Sequence, residues 1–412
     1  MPAPDSHARP AENAAERVAI ARRAAAALRA GQPPRALVGF DGFVDSIVRL
    51  VRLRHGPTDF EPIATIPEFA SRCAAAAGKS TNIERVTLDD RFGGNAPLMS
   101  SGLAALGARV AFIGAVGTTD AGDVLDPLFA PFAARCASCV PIARPGHTLC
   151  LEFDDGKIMI NDTAAVQHVT WARLVERVGL DRLRAAVADA SILAVMNWSL
   201  IPGVESIWEG LRRDVLPSLG DSAERRLFID LSDPAKRPDD DLRRAFGLLR
   251  RLEETPALRV TLGLNLAEGE RVARVMGVAF DASAPRRVEL PRLARALRDA
   301  LALDCVVIHP REGAAGAWRD SAAWFDGPFT ASPTLSTGAG DHFNAGVAYA
   351  QALGLDLPAC LAVGCAVSGA YVRDGASPPR DRVAAFLDDL PPPEPAPAAP
   401  GLSPSPAPSR IE

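Results

Sequence analysis

The densest chemistry in the sequence is the run Ser336-Thr337-Gly338-Ala339-Gly340-Asp341-His342-Phe343-Asn344-Ala345-Gly346. Three small residues at the start of a helical stretch let backbone N–H groups converge with no side chain in the way. Those unpaired amides, together with the helix dipole, attract an anion, typically a phosphate. Asp341 falls in the first helical turn, within reach of whatever the turn holds, a placement suited to a general base. The same placement suits a plain helix cap, a common use of aspartate. His342 adjoins it, either tuning its pKa or lying on the helix surface.

Other patterns carry less. Ala77-Gly78-Lys79-Ser80 ends like a phosphate-binding P-loop, but Cys73 stands where the first glycine belongs, and an Ala-rich helical stretch precedes it. Cys136 and Cys139 have redox-motif spacing without a second pair for zinc, and the six histidines are dispersed. Seven scattered cysteines and no apolar leader at the N-terminus predict a reduced, cytoplasmic protein. Nowhere do 18 apolar residues run without a charge, so no membrane span is expected. The net charge of −5 argues against a nucleic-acid partner. All but three of the 45 basic residues are arginine, the exceptions being Lys79, Lys157 and Lys236. With the abundant alanine, this reads as a bias of composition.

Positioning the glycine-rich turn falls to an alternation of short apolar runs and amphipathic stretches. Strands are expected at Ala36–Phe40, Arg109–Ile113, Ser191–Met196, Arg226–Asp230, Val260–Leu264 and Cys305–Ile308. Helices are expected at Ala96–Leu106, Gly203–Leu216, Asp239–Leu252, Leu266–Met276, Pro291–Leu301 and Asp341–Ala352. Continuous apolar strands alternating with helices imply an α/β fold with a mostly parallel sheet covered on both faces. Ligands in such sheets bind beyond the strand C-terminal ends. Residues 46–92 and 146–165 break the alternation with period-two patterns, and Asp154-Asp155-Gly156 marks a hairpin turn in the second. These are candidate lid elements. The division expected is an N-terminal segment (1–33, its first part disordered), a core domain with its lid (34–390) and a disordered Pro-rich tail (391–412).

The glycine-rich turn resembles the carboxy-terminal signature of the PfkB (ribokinase-like) family of sugar and nucleoside kinases. Three further matches follow in the family's order. Gly93-Gly94-Asn95-Ala96 with Gly114, Gly117, Gly122 and Asp123 resembles the amino-terminal signature, and Asn265-Leu266-Ala267-Glu268 resembles an N-x-x-E element after a strand. Phe228–Pro234 with Arg237 is similar to a strand ending in D-x-N-x-R. The resemblance implies a ribokinase-like three-layer α/β/α sandwich with a small β-rich lid. It also implies an ATP-dependent kinase acting on a hydroxyl of a sugar or nucleoside.

By that resemblance Asp341 deprotonates the acceptor, while Gly338, Ala339 and Gly340 form the anion hole for the transferred phosphoryl group. Asp45, Gly93, Gly94 and Asn95 face the substrate, with Asp41 a rival to Asp45 because Gly39–Asp45 permits two registers. Asn265, Glu268, Thr337 and Gly375 face the nucleotide, and Glu268 organises Mg²⁺ through water. Departures are Leu335-Ser336 where the family often has Asp-Thr, which leaves a monovalent cation open, and Gly364 where it has an Asn near the adenine. Two alternatives follow from the departures: a catalytically weak binding member, or a kinase using another phosphoryl donor. Family members often dimerise through lid strands, and the apolar alternation at 150–160 allows a homodimer here.

Overall fold

A computed structural model describes residues 14–219 and 224–394, so residues 1–13 and all but the first four residues of the Pro-rich tail lie outside the described residues. The strands, in chain order, are Arg35–Phe40 (β1), Phe43–Arg54 (β2), Phe60–Pro62 (β3), Arg85–Gly93 (β4), Arg109–Gly114 (β5), Ser138–Pro141 (β6) and Gly146–Phe153 (β7). They continue with Gly156–Asp162 (β8), Ile192–Val195 (β9), Arg225–Asp230 (β10), Leu258–Asn265 (β11), Cys305–His309 (β12), Gly313–Trp318 (β13) and Ser321–Asp326 (β14). The helices are Ala14–Ala30 (α1), Ile66–Ala74 (α2), Asn95–Ala105 (α3), Ala130–Ala133 (α4), Trp171–Val178 (α5), Leu180–Asp189 (α6) and Val204–Gly210 (α7). Then come Asp239–Glu253 (α8), Leu266–Met276 (α9), Arg286–Leu301 (α10), Ala339–Ala352 (α11), Leu357–Asp374 (α12) and Arg380–Asp388 (α13).

All six apolar runs are strands of one sheet, ordered β14-β13-β12-β11-β10-β9-β1-β5-β6. It is parallel from β12 to β6, and β13 and β14 close one edge antiparallel. Side chains alternate between two cores. From β1, Ala36 and Val38 join α1, α3, α11, α12 and α13 on one face, whereas Leu37 and Phe40 join α5 to α10 on the other. The result is the expected three-layer sandwich.

The period-two stretches form a second sheet, β3-β2-β7-β8 with β4 also on β2. Its hairpin turns at Asp154-Asp155, pairing Phe153 with Gly156. Along β2, Val48 and Leu50 pack into a small core with Ile63, Leu151 and Phe153. The alternate residues Asp45, Ile47 and Arg49 line cavities beneath the lid. A two-residue side-chain period thus gives the lid one apolar face for itself and one polar face for the site.

Three elements differ from the sequence reading. α12 is apolar almost all round, because α11, α1 and α13 surround it, so no 3.6-residue contrast marks it. α10 begins at Arg286, with Pro291 inside it and not at its start. α1 buries Ile20, Ala24, Ala25 and Leu28, so this part of the segment before residue 34 packs into the core.

Candidate active site

Two connected cavities lie beneath the lid, of about 300 Å³ and 650 Å³, and both reach Asp45, Leu98 and Thr337. The smaller is rich in hydroxyl-pairing groups: Asp45, Asn95, Asn161, Asn197, Lys236 and Asp341 among them. It lies beyond the C-terminal ends of β1, β9 and β10, where the sheet topology puts a ligand.

Asp341 is 7% exposed, and its Oδ1 accepts a hydrogen bond from Asn95 Nδ2 at 3.0 Å. Two sequence motifs 246 residues apart therefore meet in one bond. The cap of α11 is Gly338, at φ +86°, with no side-chain cap bond, so Asp341 is not spent on capping its own helix. Burial holds its pKa well above the usual carboxylate range, and the negative charge of Asp230 adds to that. A buried carboxylate with raised basicity, opening onto a polar cavity, can take a proton from a hydroxyl.

The glycine turn itself is held from behind. Tyr371 Oη donates to Thr337 O at 2.8 Å. His342 Nδ1 is 2.8 Å from Gly338 O and Nε2 is 2.8 Å from Ser377 Oγ. A carbonyl can only accept, so Nδ1 carries the proton and Nε2 accepts from the serine hydroxyl. The two rings stack at 3.6 Å. His342 is fully buried and held neutral, its pKa lowered to about 4, in place of the helix-surface position open to it in the sequence. In a trans peptide the N–H points opposite its carbonyl. Tying Thr337 O to Tyr371 therefore turns the Gly338 N–H away from that ring. On the lid side, Lys157 Nζ of β8 donates to Thr337 Oγ1 at 3.1 Å.

Of the two aspartates after β1, Asp45 lines both cavities and Asp41 lines neither. Asp41 is fully buried and accepts from Asn95 N at 2.9 Å, Ala96 N at 2.7 Å and Asn197 Nδ2 at 2.9 Å. It caps α3 from outside, because the cap residue Gly94 has no side chain to do so. Asp41 thus sits behind the start of α3, outside both cavities, and Asp45 faces them. The reason for the Gly93-Gly94 step also changes. A Cβ on Gly93 would sit 2.2 Å from Asp45 Oδ2, so the glycine makes room for the aspartate. Gly94 takes φ +101° against Asp41 and Phe43.

Asn265 and Glu268 form a capping box at the start of α9, Glu268 N to Asn265 Oδ1 at 3.0 Å and Asn265 N to Glu268 Oε2 at 2.8 Å. Glu268 is 9% exposed, and its pKa is raised by burial and then by Asp230, Asp233 and Asp341. Asp230, pushed up to about 6 by burial, is held by Ser232 N and Asn344 Nδ2, each at 2.6 Å. Among the described residues no three acids, histidines or cysteines stand close enough to hold a metal directly. Buried acids that repel one another are a chemistry suited to a cation met through water, as Mg²⁺ commonly is. Gly375 caps α12 at φ +67° and lines the larger cavity with Ser336 and Thr337. Gly364 sits where α12 meets α11, and a Cβ there would stand 2.7 Å from Val347 Cγ2 and 2.8 Å from the Phe343 ring, so it serves helix packing.

Sequence reasoning passed over several residues here. Asn197 and Ser232 adopt φ +62° and +65° just after β9 and β10, an unusual conformation for non-glycine residues that marks them for attention. Asp230, Tyr371, Lys157 and Lys236 were also missed as site residues. Rarity was the signal for the lysines: two of the chain's three reach these cavities. Arg237, the cation of the fourth motif, instead stacks over Trp198 at 4.6 Å and bonds Asp241 at 2.9 Å.

Comparison with known proteins covers most of the chain. The family described as prokaryotic ketohexokinase matches residues 11–390. A ketohexokinase of Haloferax volcanii is 32% identical over 356 residues, spanning 85% of this chain and 90% of that protein. Among solved structures, a PfkB protein from Polaromonas sp. JS666 aligns with a TM-score of 0.57 at 18% identity, covering 86% of this chain and 99% of that one. The ribokinase of Arabidopsis thaliana, solved with ribose and ATP, aligns with a TM-score of 0.57 at 17% identity, over 86% of this chain and 98% of its own.

Proposed function

The chain belongs to the prokaryotic ketohexokinase family and is a carbohydrate kinase of ribokinase-like fold, and from that premise we propose that it transfers the γ-phosphoryl group of ATP to a hydroxyl of a ketohexose. The observation that carries the reading is the Asp341–Asn95 bond at the floor of a polar cavity of about 300 Å³, a volume suited to one monosaccharide. So many polar groups are not needed for a nucleoside base, and the aromatic side chain lining that cavity is Phe43. A sugar acceptor fits better than a nucleoside.

In this reading Asp45, Asn95 and Asn197 hold the acceptor through its hydroxyls, under the lid strands β7 and β8. Asp341 takes the proton of the attacking hydroxyl, and Asn95 fixes the carboxylate oxygen that does not. The backbone amides of Gly338, Ala339 and Gly340, with the N-terminal end of α11, offset the charge that develops on the transferred group. Asn265, Glu268, Thr337 and Gly375 face the nucleotide. Mg²⁺, when bound, would neutralise phosphate charge, and Glu268 and Asp230 are the acids that would organise its water shell. Lys157 ties the lid to Thr337, so closing over the sugar also steadies the anion-binding turn. Exposed apolar side chains on the lid, Leu53, Leu88, Met159 and Ile160, support pairing of two lids in a homodimer.

The test is ADP release with ATP and a panel of ketoses, aldoses and nucleosides, with GTP and ADP as competing donors. Wild type should favour a ketohexose with ATP, and Asp341→Asn should lower kcat by several orders of magnitude while leaving nucleotide binding. Near-normal turnover by the Asn variant would remove Asp341 from the role of base.

A further inference from the structure

We propose that Lys236 is the cation that meets the transferring phosphoryl group, at the boundary between the sugar half and the nucleotide half of the site. The inference rests on the kinase reading above and adds a residue to it. Sheet order supplies the placement. β9, β1 and β2 deliver Asn197 and Asp45 on the acceptor side, and β11 ends in Asn265 on the nucleotide side. β10 lies between β9 and β11, so the loop that follows β10 crosses the line along which a group passes from donor to acceptor. That loop carries Ser232 and Lys236, and both line the cavity that holds Gly338 and Asp341.

The Lys236 side chain is free for the task. It is 46% exposed, and its one ion pair, to Asp233, is 3.9 Å long, beyond hydrogen-bond distance. Its neighbour Arg237 cannot substitute, being stacked on Trp198 and bonded to Asp241. Composition gives an independent argument. In a chain where arginine holds all but three of 45 basic positions, two of the three lysines line the cavities that the glycine turn also lines. A guanidinium is a rigid fork suited to a fixed bidentate partner, whereas an ammonium is a compact charge on a flexible stem. A phosphoryl group that moves between two oxygens favours the second.

The step balances without a further reactant. The acceptor oxygen forms a bond to the γ-phosphorus as the bond from that phosphorus to the bridging oxygen breaks. The hydroxyl proton passes to the Asp341 carboxylate, and the bridging electron pair leaves on the nucleoside diphosphate. Lys236 offsets charge on the non-bridging oxygens. A phosphoryl anion at this spot has two sources, the γ-phosphoryl of the nucleotide or a phosphate ester already on the sugar.

The experiment compares wild type, Lys236→Ala, Lys236→Arg and Lys79→Ala, with ATP and either a free ketohexose or a ketohexose phosphate. Lys79 is exposed after α2, and its variant serves as the control for loss of one lysine charge. With free ketohexose, Lys236→Ala should lower kcat about 10²–10³-fold, shift the ketose KM less than threefold, and be partly restored in Lys236→Arg. That result assigns the lysine to the nucleotide's γ-phosphoryl. If wild type prefers the ketohexose phosphate and Lys236→Ala raises its KM more than tenfold with kcat preserved, the phosphate met is the sugar's own, and the role of Lys236 in transfer is overturned. Lys236→Ala within twofold of wild type in every arm, alongside an inactive Asp341→Asn, overturns the role of Lys236 alone. No ADP release by wild type with any ketose overturns the kinase reading beneath it.

Discussion

Gly93→Ala tests the geometry of the proposed acceptor site through the room that Gly93 leaves for Asp45. An added Cβ would stand 2.2 Å from Oδ2, 2.6 Å from Cγ and 2.9 Å from Oδ1 of Asp45. Ordinary contact begins near 3.4 Å, so the whole carboxylate must retreat by about 1 Å or turn away. Asp45 is 8% exposed and is paired across the sheet with Arg91 on β4 and Thr148 on β7. The retreat therefore carries it out of register with the cavity. A hydrogen bond to a charged group contributes about 1.5–3 kcal/mol, and about 1.4 kcal/mol is tenfold. Loss of one or more bonds to the sugar should lower kcat/KM for ketohexose about 10–150-fold, mainly by raising KM. In the proposed reading Asp45 holds the acceptor, so ATP KM should stay within threefold. The assay is steady-state ADP release by wild type, Gly93→Ala, Asp45→Ala and the double variant. Residues that act through one contact are non-additive, so Gly93→Ala should cost almost nothing further in the Asp45→Ala background. A wild-type ketose KM in Gly93→Ala, or an undiminished effect in the double variant, would refute the placement of Asp45.

Two more outcomes follow from the turn and the acids around it. Tyr371→Phe keeps the ring stacked on His342 but leaves Thr337 O without its partner at 2.8 Å. A buried group left unpaired costs about 1–3 kcal/mol, so kcat should fall about 5–150-fold with ketose KM nearly unchanged, and a change confined to KM contradicts it. Asp230→Asn removes the charge that, after burial, raises the Asp341 pKa most. In the proposed reading Asp341 must be unprotonated to act as base, so activity is lost as pH falls through that raised pKa. Taking the neighbouring charge away lowers it, and the acid limb of the kcat/KM profile should move to lower pH. A limb that stays or moves upward excludes the coupling.

The sheet was legible because its strands are apolar on both faces, a pattern that follows from helices covering each side. The lid was legible from its two-residue period. α12 was hidden by the same physics inverted, since complete burial erases the amphipathic contrast that marks a helix. At the site, Gly338–Asp341 and Gly93–Asn95 stood out as small residues beside a polar one. The choice between Asp41 and Asp45 did not, for both are strand-end carboxylates four residues apart. Only the position of α3 decides it, by consuming Asp41 at its N-terminus. Tyr371 and Asp230 act through backbone and charge across long sequence separations, which no local spacing records.

What remains beyond any motif is that the site exists only as an assembly of parts. Asn95 from one signature holds Asp341 of another, and Lys157 of the lid holds the hydroxyl beside the glycine turn. Asp341 is buried among Asp230, Glu268 and Asp41, charges that each oppose its ionisation in the absence of ligands. Such an arrangement is unfavourable until cations and donors arrive to balance it. The same repulsion raises the basicity that a proton-accepting carboxylate needs. Stability lost around Asp341 in the free protein is therefore the physical counterpart of its raised proton affinity. A variant that relieves the crowding, Asp230→Asn above all, should gain in stability at neutral pH while it loses its hold on the acid limb.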